Sequence, residues 1–278
     1  MTVIAMTREM GTRGKDVAAG IAAALNLEVV HHELVERHVA KRLHASESAV
    51  HRFLEGEASL WERWKIDTQR LSRFTAEEVL ERAIQGNVVI RGWGAAQLLR
   101  AIPHVICVRI CAPMSSRTAE MMGRLSIDEE SVARREIQRS DAAHARLIEA
   151  RFNRDWMNPT GYDLVINTAF VSIETSVSLI RELASKVGPE QIEGMTARLK
   201  DKLIEERVRS LIDDARNVSA VGGGLRISVT DGAVTLSGYV ESSAGLDDLA
   251  ESIKDADGVT SVRMDVETLH TTYIGYGP

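Results

Sequence analysis

The sequence predicts an α/β protein: a parallel sheet with helices on both faces, followed by a smaller α+β unit of order αββαβ. Three observations predict it. Over the first 185 residues, short apolar runs alternate with longer stretches of helical period, the pattern of strands joined by helical crossovers. The first of those runs leads straight into a glycine-bearing turn and a helix. Beyond residue 215 the alternation changes to period two around Asp231–Gly232, a hairpin signal.

Expected strands are 3–6, 28–31, 87–91, 104–111 and 163–167; expected helices are 15–25, 33–43, 76–85, 115–123, 128–148 and 173–186. The helical, charged stretch 46–80, with Trp61 and Trp64, falls between the second and third strands, where a substrate-binding subdomain would sit. A charged helix is expected over 196–215, two strands in LRISVTDGAVTLSGYV, a helix over 246–256 and a last strand over 259–266. Gly222–Gly224 reads as a loop ahead of the first of these strands. The division expected is residues 1–187, a linker over 188–198, a small domain over 199–268 and a tail over 269–278.

Composition narrows the function classes. The 278 residues carry a net charge of -6, with nine Lys and Arg against fifteen Asp and Glu from Gln191 onward. Nucleic-acid binding through a basic field is not expected, and an anionic ligand is better received by the near-neutral first 190 residues. No run approaches the ~20 apolar residues of a membrane span. The first residues lack the charge and apolar core of an export signal, and two cysteines, Cys107 and Cys111, sit in an apolar strand. These features fit a reduced, cytoplasmic setting. The five histidines between residues 31 and 51 have no zinc-ligand spacing.

The chemistry-bearing segment is REMGTRGKD, Arg8 to Asp16. A strand, a glycine turn and a helix start bring backbone N–H groups and the positive end of a helix dipole to one point, a natural phosphate site. Gly11 and Gly14 permit close approach, Lys15 sits on the first helical turn, and Arg8 and Arg13 add positive charge. Against the pattern G-x-x-x-x-G-K-[ST], Glu9 stands at the first glycine and Asp16 at the metal-binding hydroxyl. Asp16 either holds a magnesium ion, repels phosphate, or serves the helix dipole.

MTREMGTRGKDVAAGIAAALNLEVVHHELV resembles the N-terminal segment of the cytidylate kinase-like family, within the P-loop nucleoside monophosphate kinases. VVIRGWGAAQLLRAIPHVICVRICAP and RFNRDWMNPTGYDLVINT continue the likeness, which covers roughly residues 1–185. It implies a P-loop NTPase-type sheet with a helical lid, and Mg²⁺-dependent transfer of the γ-phosphoryl of ATP to CMP or a related nucleoside monophosphate. The resemblance implies that Arg8, Gly11, Thr12, Arg13, Gly14, Lys15 and Asp16 hold ATP, with Asp16 toward Mg²⁺. Lys15 and the lid arginines Arg135, Arg139 and Arg146 would stabilise transferring charge, and His32, Glu33, Arg91 and Arg117 would face the acceptor. The chain departs from the family where Gly92-Trp93-Gly94 replaces Gly-Arg-Gly and where His144 stands for a lid arginine. These departures keep a second reading open, a non-catalytic nucleotide sensor. DGAVTLSGYVES and DADGVTSVRMDV resemble a BON domain, which implies a binding or regulatory module for a protein or lipid partner.

Overall fold

A computed structural model describes residues 1–30, 32–43, 45–48, 50, 68–92, 94–126, 128–215 and 218–269. Trp61, Trp64, Trp93, His31, His44, His51 and most of the expected tail lie outside them. The chain divides into two compact units, Met1–Thr196 and Ala197–Pro278.

In the first unit five strands, β1 (Val3–Arg8), β2 (Glu28–Val30), β3 (Val88–Arg91), β4 (Ile106–Cys111) and β5 (Leu164–Asn167), form one sheet. Their order is β2-β3-β1-β4-β5 and every pairing is parallel. Parallel neighbours need crossovers. These are α1 (Gly14–Leu25), α2 (His32–Leu43), α3 (Thr68–Gln85), α4 (Ala95–Leu99), α5 (Met114–Leu125) and α6 (Glu130–Phe152), while α7 (Ile173–Ala184) follows the last strand. Side chains alternate faces along a strand. Ile4, Met6, Val108 and Ile110 therefore join Val17, Ile21 and Ile180 in one core under α1 and α7. Cys107 is turned the other way and donates to Ala96 O of α4 at 3.5 Å.

Local chemistry sets the helix ends. Asn26, Ser126 and Asn153 close α1, α5 and α6 in the left-handed conformation, each with its N–H bonded back into the last turn. Ser172 caps α7 by accepting from Thr175 N at 3.1 Å. β5 is pinned through Asp163, whose carboxylate accepts from Cys107 N and Arg100 Nη1, both at 2.7 Å. α3 joins the expected helix 76–85 to the end of the stretch 46–80 expected to be helical, starting at Thr68, and the five-residue α4 was not anticipated.

The segment 188–198, expected as a linker, is helical from its second residue: α8 runs Pro189–Asp214, not from 196. Proline at the first helical position supplies a fitting φ and loses no hydrogen bond. α8 begins in the first unit, and its later part belongs to the second.

There β6 (Ala220–Thr230), β7 (Ala233–Val240) and β8 (Ser261–Thr268) form a sheet with β6–β7 antiparallel and β7–β8 parallel. The crossover is α9 (Leu246–Lys254). Ile204 and Val208 of α8 and Leu249 and Ile253 of α9 cover one face over Val234 and Leu236. Asp231 (φ 49) and Gly232 (φ 77) make the turn that suits a two-residue hairpin. Gly222–Gly224, expected as a loop, lie inside β6. The register shifts there between Val221 and Arg226, so the glycines are absorbed as a bulge.

Candidate functional site

Residues 9–13 join β1 to α1 at the carboxyl end of the sheet's central strand, where ligands of open parallel sheets sit. Glu9 N–H donates to Ile110 O at 3.1 Å, extending the β1–β4 ladder by one rung. Thr12 Oγ1 donates to Glu9 O at 2.7 Å, and Thr168 Oγ1, just after β5, donates to Thr12 O at 2.7 Å. Gly11 has φ +78, and a Cβ there would stand 2.6 Å from Arg117 O. At Gly14 a Cβ would meet Arg8 Cβ at 2.9 Å. Both glycines are thus required by close packing of the loop as well as by any ligand. Among the described residues, the main-chain N–H groups from Gly11 to Lys15 donate to no protein acceptor. Lys15 is exposed on the first turn of α1 beside them. That donor set, with an ammonium at its edge, fits a polyphosphate. Arg13 caps α1 in the left-handed conformation, and its Nε bonds Asp16 Oδ2 at 3.0 Å. Asp16 is half exposed, and this surface pair is its recorded partner. One or two carboxylates plus substrate phosphates are what magnesium usually takes in such sites, so Asp16 is compatible with that ion.

Glu9 is not a phosphate-facing residue. It is 4% exposed, and its carboxylate is held by three groups from β4, its end and α5. These are Arg109 Nη2, Arg117 Nη1 at 3.3 Å and Ala112 N at 3.3 Å. A charge this deeply buried requires such pairing. Arg109 also donates to Met157 O at 2.9 Å and lies 5.7 Å from the Trp156 ring centre, on which His144 of α6 stacks.

The expectation that Arg117 faces the acceptor is corrected. Its guanidinium is 5% exposed and turned inward: Nε donates to Met10 O at 2.7 Å, while Nη1 and Nη2 clamp Asp141 of α6 at 2.9 and 2.7 Å. A bidentate carboxylate plus a second ion pair leaves it no geometry for an external ligand. Arg135, Arg139 and Arg146, spaced four and seven residues apart, form one exposed stripe of α6. At 3.6 residues per turn that stripe lies opposite Ile137, Asp141 and Ile148, the packed side. Arg91 is buried at the end of β3. His32 and Glu33 open α2, but their side chains lie outside the described residues.

Sequence reasoning missed Arg109, Asp141 and Thr168. One signal was present: Arg109 is the lone charge in the apolar run ICVRIC, and a charge in a buried strand demands a partner. Burial also governs the nearby thiols. Cys107 is pushed up to about 12 by desolvation, with Asp163 adding to it. Cys111 is raised too, first by burial and then by Glu9. Both are free thiols.

Comparison with known proteins agrees with this build. A BON domain match covers residues 200–268. The cytidylate kinase of Pyrobaculum islandicum is 23% identical over 180 residues, spanning 64% of this chain and 90% of the relative. That of Pyrobaculum aerophilum is 25% identical over 181 residues, with the same coverage. An uncharacterized protein from Eubacterium ventriosum has a crystal structure that superposes with a TM-score of 0.54 at 20% identity. The superposition covers 67% of this chain and 99% of that one. With the family model itself matched from residue 3 to residue 169, well over half of its length, the chain belongs to the cytidylate kinase-like family.

Proposed function

We propose that the first unit transfers the γ-phosphoryl group of ATP to CMP or a related nucleoside monophosphate. The observation that carries the proposal is the free set of backbone donors from Gly11 to Lys15, at the head of α1, in a chain of this family. Phosphoryl transfer asks little covalent chemistry of a protein; it asks for aligned phosphates and compensated charge. Here the loop amides would cradle the phosphates and Lys15 would meet the group in transfer. Arg8 and Arg13 would raise the local potential. Magnesium, when bound, supplies further neutralisation of the phosphate oxygens, and Asp16 is the residue that would help hold it once released from Arg13. Arg91, His32 and Glu33 are assigned to the acceptor side. For Arg135, Arg139 and Arg146 to act, α6 must present its other face, so these arginines serve turnover only if the lid moves. The BON domain is assigned a binding or regulatory role, through a protein or lipid partner. No helix among the described residues is long and apolar enough to cross a membrane.

The outward stripe on α6 and the Arg13–Asp16 pair favour a second reading, a nucleotide-binding sensor without turnover. One assay separates the two. Purified full chain with Mg·ATP is offered CMP, dCMP, UMP, AMP and GMP, and ADP release is followed. The kinase reading expects release with a pyrimidine acceptor that falls about 100-fold or more in Lys15→Ala. Saturable ATP binding without release supports the sensor, and absence of both removes either reading.

A further inference from the structure

Arg117 is a single cation shared by two carboxylates on different elements: Glu9 of the loop and Asp141 of α6. Its side chain also donates to Met10 O, and its own carbonyl is the atom against which Gly11 packs. Every covalent step of the loop from Glu9 to Gly11 therefore touches Arg117. On the other side, α6 is held to this arginine by two parallel hydrogen bonds of 2.9 and 2.7 Å, the strongest form of carboxylate recognition. A second bridge follows the same route. Met10 packs on a small cluster of Met121 and Met114 of α5 with Ala133 and Ile137 of α6. Met side chains repack readily, so this cluster tolerates movement of α6 while the ion pairs fix one position of it.

We infer that Arg117, divided between Glu9 and Asp141, ties the shape of the phosphate loop to the docking of α6. Asp141 is then a positioning residue for the loop although its carboxylate contacts Arg117 and not the loop itself. Removing the Asp141 charge leaves Arg117 with Glu9 as its one anionic partner and a buried guanidinium with unmet donors. The arginine must shift or rehydrate, and Met10 O and the Gly11 contact shift with it. Docked α6 holds the loop in the arrangement seen here. Movement of α6, which the outward stripe of arginines requires for turnover, changes the loop at the same time. The binding consequence rests on the nucleotide reading above; the mechanical consequence does not.

Hydrogen exchange of the ligand-free full chain therefore tests it, comparing wild type with Asp141→Asn and with Glu136→Gln, which removes a carboxylate from the exposed side of the same helix. Asp141→Asn is expected to speed exchange of the Glu9 amide, the loop N–H that is bonded to Ile110 O, about tenfold or more, in addition to that of α6, while Glu136→Gln leaves it at the wild-type rate. Faster exchange confined to α6, or none in either place, overturns the coupling. Should Asp141→Asn loosen the whole unit, Asp141→Glu, which keeps the charge, must restore loop protection; a failure to restore it also overturns the inference. Titration of the same proteins with Mg·ATP follows the nucleotide arm: weaker binding by Asp141→Asn, with Glu136→Gln unchanged, extends the coupling to the ligand. A wild type that binds no ATP defeats the nucleotide reading, and the exchange result still decides whether loop and helix are coupled.

Discussion

Replacing Gly11 by alanine tests the loop geometry with one methyl group. The backbone there has φ +78, a region that disfavours any L side chain by about 1–2 kcal/mol. The added Cβ would also lie 2.6 Å from the carbonyl oxygen of Arg117. Reaching ordinary contact near 3.4 Å needs a displacement of about 0.8 Å. Arg117 cannot easily supply it. Its carbonyl belongs to the helix α5, and its guanidinium is fixed to Met10 O, Asp141 and Glu9. The loop cannot easily supply it either, because Glu9 is anchored on β4 and Thr12 on Thr168. Overpacking of a site without slack adds about 1–3 kcal/mol, so the sum is about 2–5 kcal/mol. In a unit of this size each kcal/mol moves the melting midpoint by about 2–4 °C, which sets the expected fall at about 4–20 °C. Differential scanning calorimetry of the full chain reads the shift. Gly123→Ala is the matched comparison: it sits in α5 with nothing within 4 Å of the added atom. Filling that open helical site should stabilise by about 0.5–1 kcal/mol. The reasoning fails if Gly11→Ala melts within about 1 °C of wild type, or if the two substitutions move the midpoint the same way.

Two further outcomes follow from buried groups away from the loop. Asp201 on α8 is 6% exposed and accepts from the turn amides of Asp231 and Gly232 at 3.2 and 3.0 Å. Asp201→Ala leaves both donors unmet and should cost about 2–3 kcal/mol in urea unfolding, with faster amide exchange across residues 229–234; unchanged exchange there would count against it. Cys107 titrates near 9 when unfolded and about 12 when folded, so the fold favours its neutral thiol. The stability it contributes is whole below pH 9 and is lost as pH rises from 9 toward 12. The difference in unfolding free energy between wild type and Cys107→Ala should therefore be flat up to pH 9 and shrink above it. A difference that stays constant to pH 11 would show that burial does not hold the thiol protonated.

The sheet was legible because its strands are short apolar runs, and a run such as VIAM or VVI can be buried on both faces only as a central strand of a parallel sheet. The hairpin was legible because Asp231–Gly232 supplies two left-handed residues in sequence. The bulge at Gly222–Gly224 was not: a glycine run reads as a loop unless the partner strand is known, and here β7 supplies the pairing on both sides of it. The five-residue α4 carries no side-chain cap to announce it. At the site, the loop itself could be read from its glycines and Lys15. Its support could not, because Glu9 meets Arg109 and Arg117 across a hundred residues of chain. The lid arginines show the opposite failure. Their charge was legible, but their side of α6 follows from the positions of Ile137, Asp141 and Ile148, and no local pattern says which face the rest of the protein covers.

The acidic residues that seemed to spoil the loop now separate into two kinds. Glu9, Asp141, Arg109 and Arg117 form a closed group of two anions and two cations, all committed to one another beneath the loop. Seen from outside, that group has no net charge, and its field falls off faster than that of a lone carboxylate. A glycine at position 9 would leave Arg109 without its carboxylate partner and Arg117 with Asp141, and would remove the side-chain attachment to Ala112 N at the end of β4. Glutamate in that place is therefore part of how this loop is built, and it carries no argument against an anionic ligand. Asp16 is different: it stands half exposed at the helix start, paired with Arg13. Among the described residues, Arg8, Arg13 and Lys15 stand at the loop and helix start with Asp16 beside them, and Glu174 is close enough to Arg13 to be lowered in part by its charge. Glu9 thus drops out of the case against turnover, which rests on Trp93, His144, the Asp16 carboxylate and the face that α6 presents.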